Sequence, residues 1–282
     1  MPDITAAAVN NLRAITGVGM MDCKKALAET NGDVDAAVKL LRERGVAVAA
    51  KRAEKVANQG AVMAKASADG KVIAMVEVNC ETDFVARNEG FQTFVKQVVE
   101  TAVANPADVA EVMAGDLTAK IAQTGENMKI RRSVRYTLDG VGKLSSYIHM
   151  GGKVGVILDV ACGKPETVAS PLFAELCNDL CLQIAAAMPK YVAPADVTAE
   201  EIASEREIYA KQMEGQNKPA NIIEKIVDGK MGKFYSDICL LEQEFVKAAD
   251  SKVVIKDVVA KVAKDCGDSI SVRKFTRYQL GA

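Results

Sequence analysis

Two stretches of this sequence, KVIAMVEVNC at residues 71–80 and KVGVILDVAC at residues 153–162, decide the fold. Each is an apolar run of strand length that begins after a glycine-containing turn. Each is followed by an amphipathic helical pattern and then by the tetrapeptide PADV, at Pro106 and again at Pro194. We infer that the chain contains an internal duplication.

A second pair of matching segments extends the duplication. GENMKIRRSVRY from Gly125 matches GDSISVRKFTRY from Gly267. The first match is offset by 82 residues (71 to 153) and the second by 142 (125 to 267), so the second copy holds about 60 extra residues. We predict an α+β protein in which each half has an antiparallel hairpin, one or two helices and a closing basic strand. The hairpins should turn at Asp69-Gly70 and at Gly151-Gly152.

The extra residues predict a helical hairpin inserted into the second half. Thr198 and Glu201 form a capping-box pattern ahead of a helical segment, and EGQNKPAN at residues 214–221 is typical of a turn. A return helix follows it. We expect residues 198–233 to form an antiparallel arm that contacts another helix.

The first fifty residues predict three short helices. Thr5 is a suitable N-cap for the first helix, and glycines at 17 and 19 end it. The second helix begins near Met20. Asp33 caps a third, which we expect to end at Gly45. Because so small a bundle buries little core, we expect residues 1–50 to be a docking module.

Four residues just after the glycine-bounded loop are candidates for partner contact: Met20, Met21, Asp22 and Lys24. The alternative for Met20 or Met21 is packing in the core, because methionine fills irregular gaps well.

Composition argues against several functional classes. The net charge of −1 gives no electrostatic reason to bind nucleic acid or an anionic membrane. Seven cysteines without a C-x-x-C pair and a single histidine make no credible zinc set. We interpret Cys177 and Cys181, one helical turn apart, as core packing. No apolar run is long enough to span a bilayer, and we expect a cytoplasmic protein.

The segment ETDFV at residues 81–85 follows the first of the two matched strands. The first copy continues ETDFVARNEGF and the second GKPETVASPLF, so the shared framework does not require the Asp-Phe pair. We expect Val168 to be the residue of the second copy that corresponds to Phe84. Phe84 either forms an exposed tip or covers the core, with Asp83 as a charge at a helix N-terminus.

Two other functions remain open from the residues alone. A metal-dependent hydrolase could use Glu77, Glu81 and Asp83 as oxygen ligands, although no nucleophile and base stand nearby. The alternative is an adaptor that binds a ubiquitin-like protein through the three-helix module. His149 alone is weak evidence for acid-base catalysis.

Long segments of the chain resemble the elongation factor Ts family, the guanine nucleotide exchange factors of translation elongation factor Tu. They are LRAITGVGMMDCKKALAETNGDVDAAVKLLRERG from Leu12, VEVNCETDFVARNEGF from Val76, GENMKIRR and YIHMGGKVGVI. The resemblance runs from about Ile4 to Tyr278.

The resemblance implies an exchange factor without covalent chemistry or a cofactor, and a fold of a ubiquitin-associated-like module, two related subdomains and a helical hairpin. We place the module at 1–50, the first subdomain at 51–140, the second at 141–197 with 234–282, and the hairpin at 198–233. The implied partner is elongation factor Tu, GDP-bound or nucleotide-free, with no nucleic acid or membrane. A homodimer or 2:2 complex through the hairpin stays open.

The resemblance also implies roles for particular residues. A tip matching Thr82, Asp83, Phe84 and Val85 intrudes near the magnesium site of elongation factor Tu and displaces the ion. Positions matching Met20, Met21, Asp22 and Lys24 contact its G domain, and Gly125 and His149 match further partner contacts. This chain departs from the pattern at Thr124, where the family members have an apolar residue.

Overall fold

The chain folds into two antiparallel three-stranded sheets with helices around them, in a computed structural model that describes residues 4–213, 219–248 and 252–282. The sheet orders are β1-β2-β3 and β4-β5-β6. The predicted α+β class with antiparallel sheets is confirmed. The strands are β1 (Gln59–Ala66), β2 (Val72–Cys80), β3 (Met128–Thr137), β4 (Gly142–His149), β5 (Val154–Cys162) and β6 (Ile270–Gln279).

The helices fall before and between these strands. They are α1 (Ala6–Thr16), α2 (Met20–Glu29), α3 (Val34–Arg52), α4 (Asp83–Ala86), α5 (Glu89–Ala104), α6 (Val109–Val112), α7 (Ala114–Thr124), α8 (Pro165–Val168), α9 (Pro171–Ala187), α10 (Ala199–Lys211), α11 (Ala220–Ile238) and α12 (Ile255–Asp265). None of those in the described ranges is both long and apolar enough to cross a membrane.

The duplicated stretches occupy the same topological place, as predicted. β2 and β5 are the central strands of their sheets, and each leads into a four-residue helix and then a long one. Both hairpins turn where the glycines were predicted to turn them. Even the register shift recurs, between Glu77 and Val78 in β2 and between Asp159 and Val160 in β5. The repeat therefore extends to backbone irregularities that a period-2 pattern does not encode.

The two sheets face each other, and each is covered on its outer face by a long helix. Alternate residues of β2 separate these two environments: Val76 packs under α5 with the fully buried Phe94, whereas Met75 faces the other sheet with Ile157. Gly155 allows the close approach, because a Cβ there would lie 2.8 Å from the Sδ of Met75. Each fully buried large apolar side chain contributes roughly 1.5–3 kcal/mol.

The first three helices share a small core of Leu12, Leu27 and Leu41. The expected end of the third helix at Gly45 is wrong, since α3 continues to Arg52. Gly45 is buried against α7, where a Cβ would lie 3.0 Å from that of Ala122. The glycine permits helix-helix contact here and does not terminate the helix, so tertiary packing overrides its low helix propensity.

The insertion region contains two helices in contact. Thr198 caps α10 by accepting a hydrogen bond from the Glu201 amide at 3.2 Å, as the capping pattern predicts. Arg206 of α10 donates to Asp228 of α11 at 2.6 Å. Residues 214–218 of the predicted turn lie outside the described residues.

Cys177 and Cys181 pack in the core, as predicted. Cys177 and Cys181 are buried in α9 among the second core, with no disulfide between them. Burial raises the pKa of Cys181 to about 12, so this thiol stays protonated at neutral pH.

Candidate functional site

The strand β2 ends in an exposed tip. Phe84 is the second residue of α4, and 83% of it is exposed to solvent. The next two residues face inward: Ala86 is buried and Val85 packs against the first core. The alternative in which Phe84 covers the core is therefore wrong, because α4 turns the aromatic ring outward while its neighbours hold the backbone.

Two hydrogen bonds from Thr82 to one carboxylate fix the base of the tip. The Thr82 amide donates to Oε2 of Glu126 at 3.1 Å, and its hydroxyl donates to Oε1 at 2.6 Å. The same hydroxyl accepts from the Val85 amide at 3.3 Å, which caps α4. An isolated four-residue helix would be unstable in water, so these contacts are what order the tip.

Asp83 is only loosely held. Its carboxylate lies 3.0 Å from Arg87, four residues along, and 48% of the Asp83 side chain and 82% of that of Arg87 are exposed. An exposed pair of this kind contributes little to stability. The carboxylate is therefore available to a partner at little energetic cost.

The predicted contact residue Gly125 serves the tip from within the chain. It ends α7 in the left-handed conformation, with φ of 72°, and its amide donates to the Ile121 carbonyl. That turn directs Glu126 toward Thr82. Asn127 then donates its amide to Glu81 at 2.6 Å and its side chain to the Lys55 carbonyl at 2.6 Å. Sequence reasoning did not assign a role to Glu126 or Asn127, although both lie in the GEN motif that it singled out.

The tip faces the turn of the second hairpin across a groove of about 880 Å³. Phe84 and Arg87 lie on one side of the groove, and Met150 and Lys153 on the other. Met150 is 66% exposed and has a φ of 49°. Met150 was not among the predicted contact residues, although a methionine directly before Gly151-Gly152 indicates an exposed turn residue.

His149 precedes this turn at the end of β4 and is exposed. Its Nδ1 lies 2.9 Å from the hydroxyl of Tyr147, and the two rings stack at 5.8 Å. The histidine is thus presented at the surface in a fixed orientation beside the groove-lining turn.

The four N-terminal candidates are exposed at the start of α2. Met20 and Met21 are 50% and 65% exposed, so neither packs in the core, and that alternative is wrong. Asp22 and Lys24 are exposed as well. These residues form a separate surface, because none of them lines the groove at the tip.

The three carboxylates of the metal-site alternative do not converge. Glu77 is fully buried between the sheets and accepts from Arg132 at 2.7 Å. Glu81 accepts from the Asn127 amide, and Asp83 pairs with Arg87. Within the described part of the chain, no group of three or more metal-ligating side chains comes together. The geometry gives a metal-dependent hydrolase no support.

The second half repeats the frame of the tip without its aromatic residue. Asp268 accepts from the Lys164 amide at 2.9 Å and from the Thr167 hydroxyl at 2.6 Å. These hydrogen bonds lower the pKa of Asp268, that from Thr167 most strongly. When α4 is aligned with α8, Phe84 corresponds to Glu166, which is exposed. The expected counterpart Val168 is wrong, since Val168 packs against the second core.

Comparison with known proteins gives one consistent result. The family model described as "Elongation factor TS" matches residues 81–282. The elongation factor Ts of Trichlorobacter lovleyi is 45% identical over 291 aligned residues, covering 99% of this chain and 93% of that protein. Those of Nitratiruptor sp. and Clostridium perfringens (strain SM101) are 44% and 45% identical over 289 residues, with the same coverage.

Proposed function

Because the chain belongs to the elongation factor Ts family, we propose that it is the guanine nucleotide exchange factor of elongation factor Tu and acts in the cytoplasm during translation elongation. It does so by binding, without covalent chemistry or a cofactor of its own. The observation that carries the proposal is Phe84, a large aromatic residue held 83% exposed on a frame of hydrogen bonds.

Exchange requires preferential binding to the nucleotide-free state of the partner. An acceleration of GDP release by about 1,000-fold corresponds to roughly 4 kcal/mol of differential binding. A buried aromatic side chain at an interface contributes about 2 kcal/mol or more. Burying Phe84 in a site that opens only when the nucleotide leaves would supply about half of this difference.

The tip of Thr82, Asp83, Phe84 and Val85 acts near the Mg²⁺ and phosphates of the bound nucleotide. Asp83 brings a negative charge into a site where the charges of Mg²⁺ and the phosphates balance one another. Phe84 occupies space that the site needs in order to hold Mg²⁺ and GDP. Both effects weaken retention of Mg²⁺ and GDP. The exchange factor therefore binds the GDP form first and the nucleotide-free form more tightly.

The remaining surfaces supply binding energy that does not depend on the nucleotide. Met20, Met21, Asp22 and Lys24 bind the G domain of the partner through the ubiquitin-associated-like module, residues 1–50. His149, with the segment at Gly125, adds contacts from the subdomains at 51–140 and at 141–197 with 234–282. The helical hairpin at 198–233 is an arm that makes a further contact, either with another protein or with a second copy of the complex.

A release assay tests this proposal. Elongation factor Tu is loaded with fluorescent GDP and mixed with excess unlabelled GDP, with and without this chain. We expect catalytic amounts of the chain to accelerate release by at least about 100-fold, and added Mg²⁺ to oppose the effect. A release rate unchanged by saturating chain would contradict the proposed function.

A further inference from the structure

The base of the tip depends on a residue from a distant part of the sequence. Glu126 comes 44 residues after Thr82, and its half-buried carboxylate receives both the amide and the hydroxyl of Thr82. Hydrogen bonds to an ionised acceptor are about twice as strong as neutral ones. The two bonds fix the direction in which the chain leaves β2, and hence the direction in which Phe84 points.

Glu126 is itself held by the helix that contacts the N-terminal module. It follows the Gly125 cap of α7, and α7 packs against α3 at Gly45 and Ala122. Gly17, in the loop before Met20, lies against the side chain of Gln123 near the end of α7. Continuous packing thus runs from the partner-binding module through α7 to the tip.

We propose that Glu126 is a positioning residue for nucleotide exchange. It orients the tip through Thr82 and, through α7, holds the tip in a fixed position relative to the N-terminal module. This inference rests on the proposed function and adds to it a residue that does not touch the partner's nucleotide. Its physical role is to keep the exposed ring in one place before binding. The cost of ordering the tip is then not subtracted from the energy that opens the nucleotide site.

The second half provides a matched control. Asp268 accepts from the Lys164 amide, which corresponds to the amide of Thr82, and also from the Thr167 hydroxyl, at the base of a short helix that presents Glu166. Glu126→Gln and Asp268→Asn each replace one acceptor oxygen with an amide group that cannot accept, at nearly constant size. If the carboxylate only stabilised the fold, the two variants would behave alike.

The experiment measures GDP release from elongation factor Tu against the concentration of each full-length variant. For Glu126→Gln we expect the maximal release rate to fall about tenfold, because the substitution removes one charge-assisted hydrogen bond. The half-saturating concentration should change less than about twofold, because the module still binds. Asp268→Asn should keep the maximal rate. Thr82→Val should reproduce the defect, and combining it with Glu126→Gln should add little.

Amide hydrogen exchange of the isolated chain gives a readout independent of the partner. In Glu126→Gln the amides of Thr82 and Val85 should exchange about tenfold faster, while those of central β2 stay protected. Unchanged exchange at Thr82 would overturn the inference, as would a normal maximal rate in Glu126→Gln or equal losses in the two variants. If the unaltered chain does not accelerate release, the proposed function fails, and the amide measurement still decides whether Glu126 holds the tip.

Discussion

Replacing Phe84 by alanine should separate exchange from stability. With 83% of the residue exposed, only about 35 Å² of a side chain of roughly 200 Å² is covered by the fold. At about 25 cal/mol per Å², the substitution costs less than about 1 kcal/mol of unfolding free energy, or less than about 4 °C in Tm for a chain of this size. Loss of an aromatic hot spot costs about 2 kcal/mol or more, so exchange should slow about 30-fold.

The assay is the maximal rate of fluorescent GDP release at saturating variant, with thermal unfolding measured in parallel. Glu166→Ala is the matched control, because Glu166 occupies the place of Phe84 in the second half and is also exposed. It should leave both quantities nearly unchanged. The reasoning is refuted if Phe84→Ala lowers Tm by more than about 10 °C, since Phe84 would then be core. It is refuted equally if the Asp83→Ala, Phe84→Ala double variant keeps the full rate.

Deleting residues 198–233 and joining the ends with a short linker should leave cooperative unfolding in urea, because we expect this segment to be an insertion between matched elements of the second half. A chain that no longer unfolds cooperatively would show that the arm belongs to the core. Gly155→Ala should lower the unfolding free energy by about 1–3 kcal/mol, measured by urea titration, because the added Cβ would press on Met75; an unchanged midpoint would mean that the sheets can separate freely. Burial raises the pKa of Asp159 in the folded chain, and Arg273 partly offsets this. As the pH falls from above this raised pKa toward the lower pKa of the unfolded chain, the unfolding free energy of the unaltered chain should therefore rise relative to that of Asp159→Asn. A difference in unfolding free energy between the two chains that does not change with pH would contradict this.

The sequence was sufficient where a pattern is local or repeated. The matched stretches predicted strands β2 and β5, and Asp69-Gly70 and Gly151-Gly152 predicted both turns. It was insufficient where a residue's environment comes from another element. The pattern around Gly45 predicts a helix end there, because no local signal shows its contact with Ala122 of α7.

The candidate site divides in the same way. Comparison of the halves showed that the shared framework does not require Phe84, which periodicity does not show, but it left open whether the ring is exposed or covers the core; the structure decides for exposure. The role of Glu126 could not be inferred, because a hydrogen bond between residues 44 positions apart leaves no local signal. Val168 was misplaced as the counterpart of Phe84, and alignment of α4 with α8 assigns that place to Glu166.

The two halves share the contacts at their junction and differ in the residue that each exposes. Arg132 of the first half lies 4.2 Å above the ring of Tyr278 in the second, and Lys274 of the second lies 4.3 Å above the ring of Tyr136 in the first. These reciprocal cation-π contacts, each about 0.5–2 kcal/mol, are related by the same offset as the matched segments. The short helices α4 and α8 keep the same frame, a carboxylate bonded to the residue before the helix. The residue that each frame exposes differs, an aromatic in one half and a carboxylate in the other. Since neither side chain is required by the junction or the cores, stability does not explain the exposed Phe84, and the proposed binding to a partner would account for it.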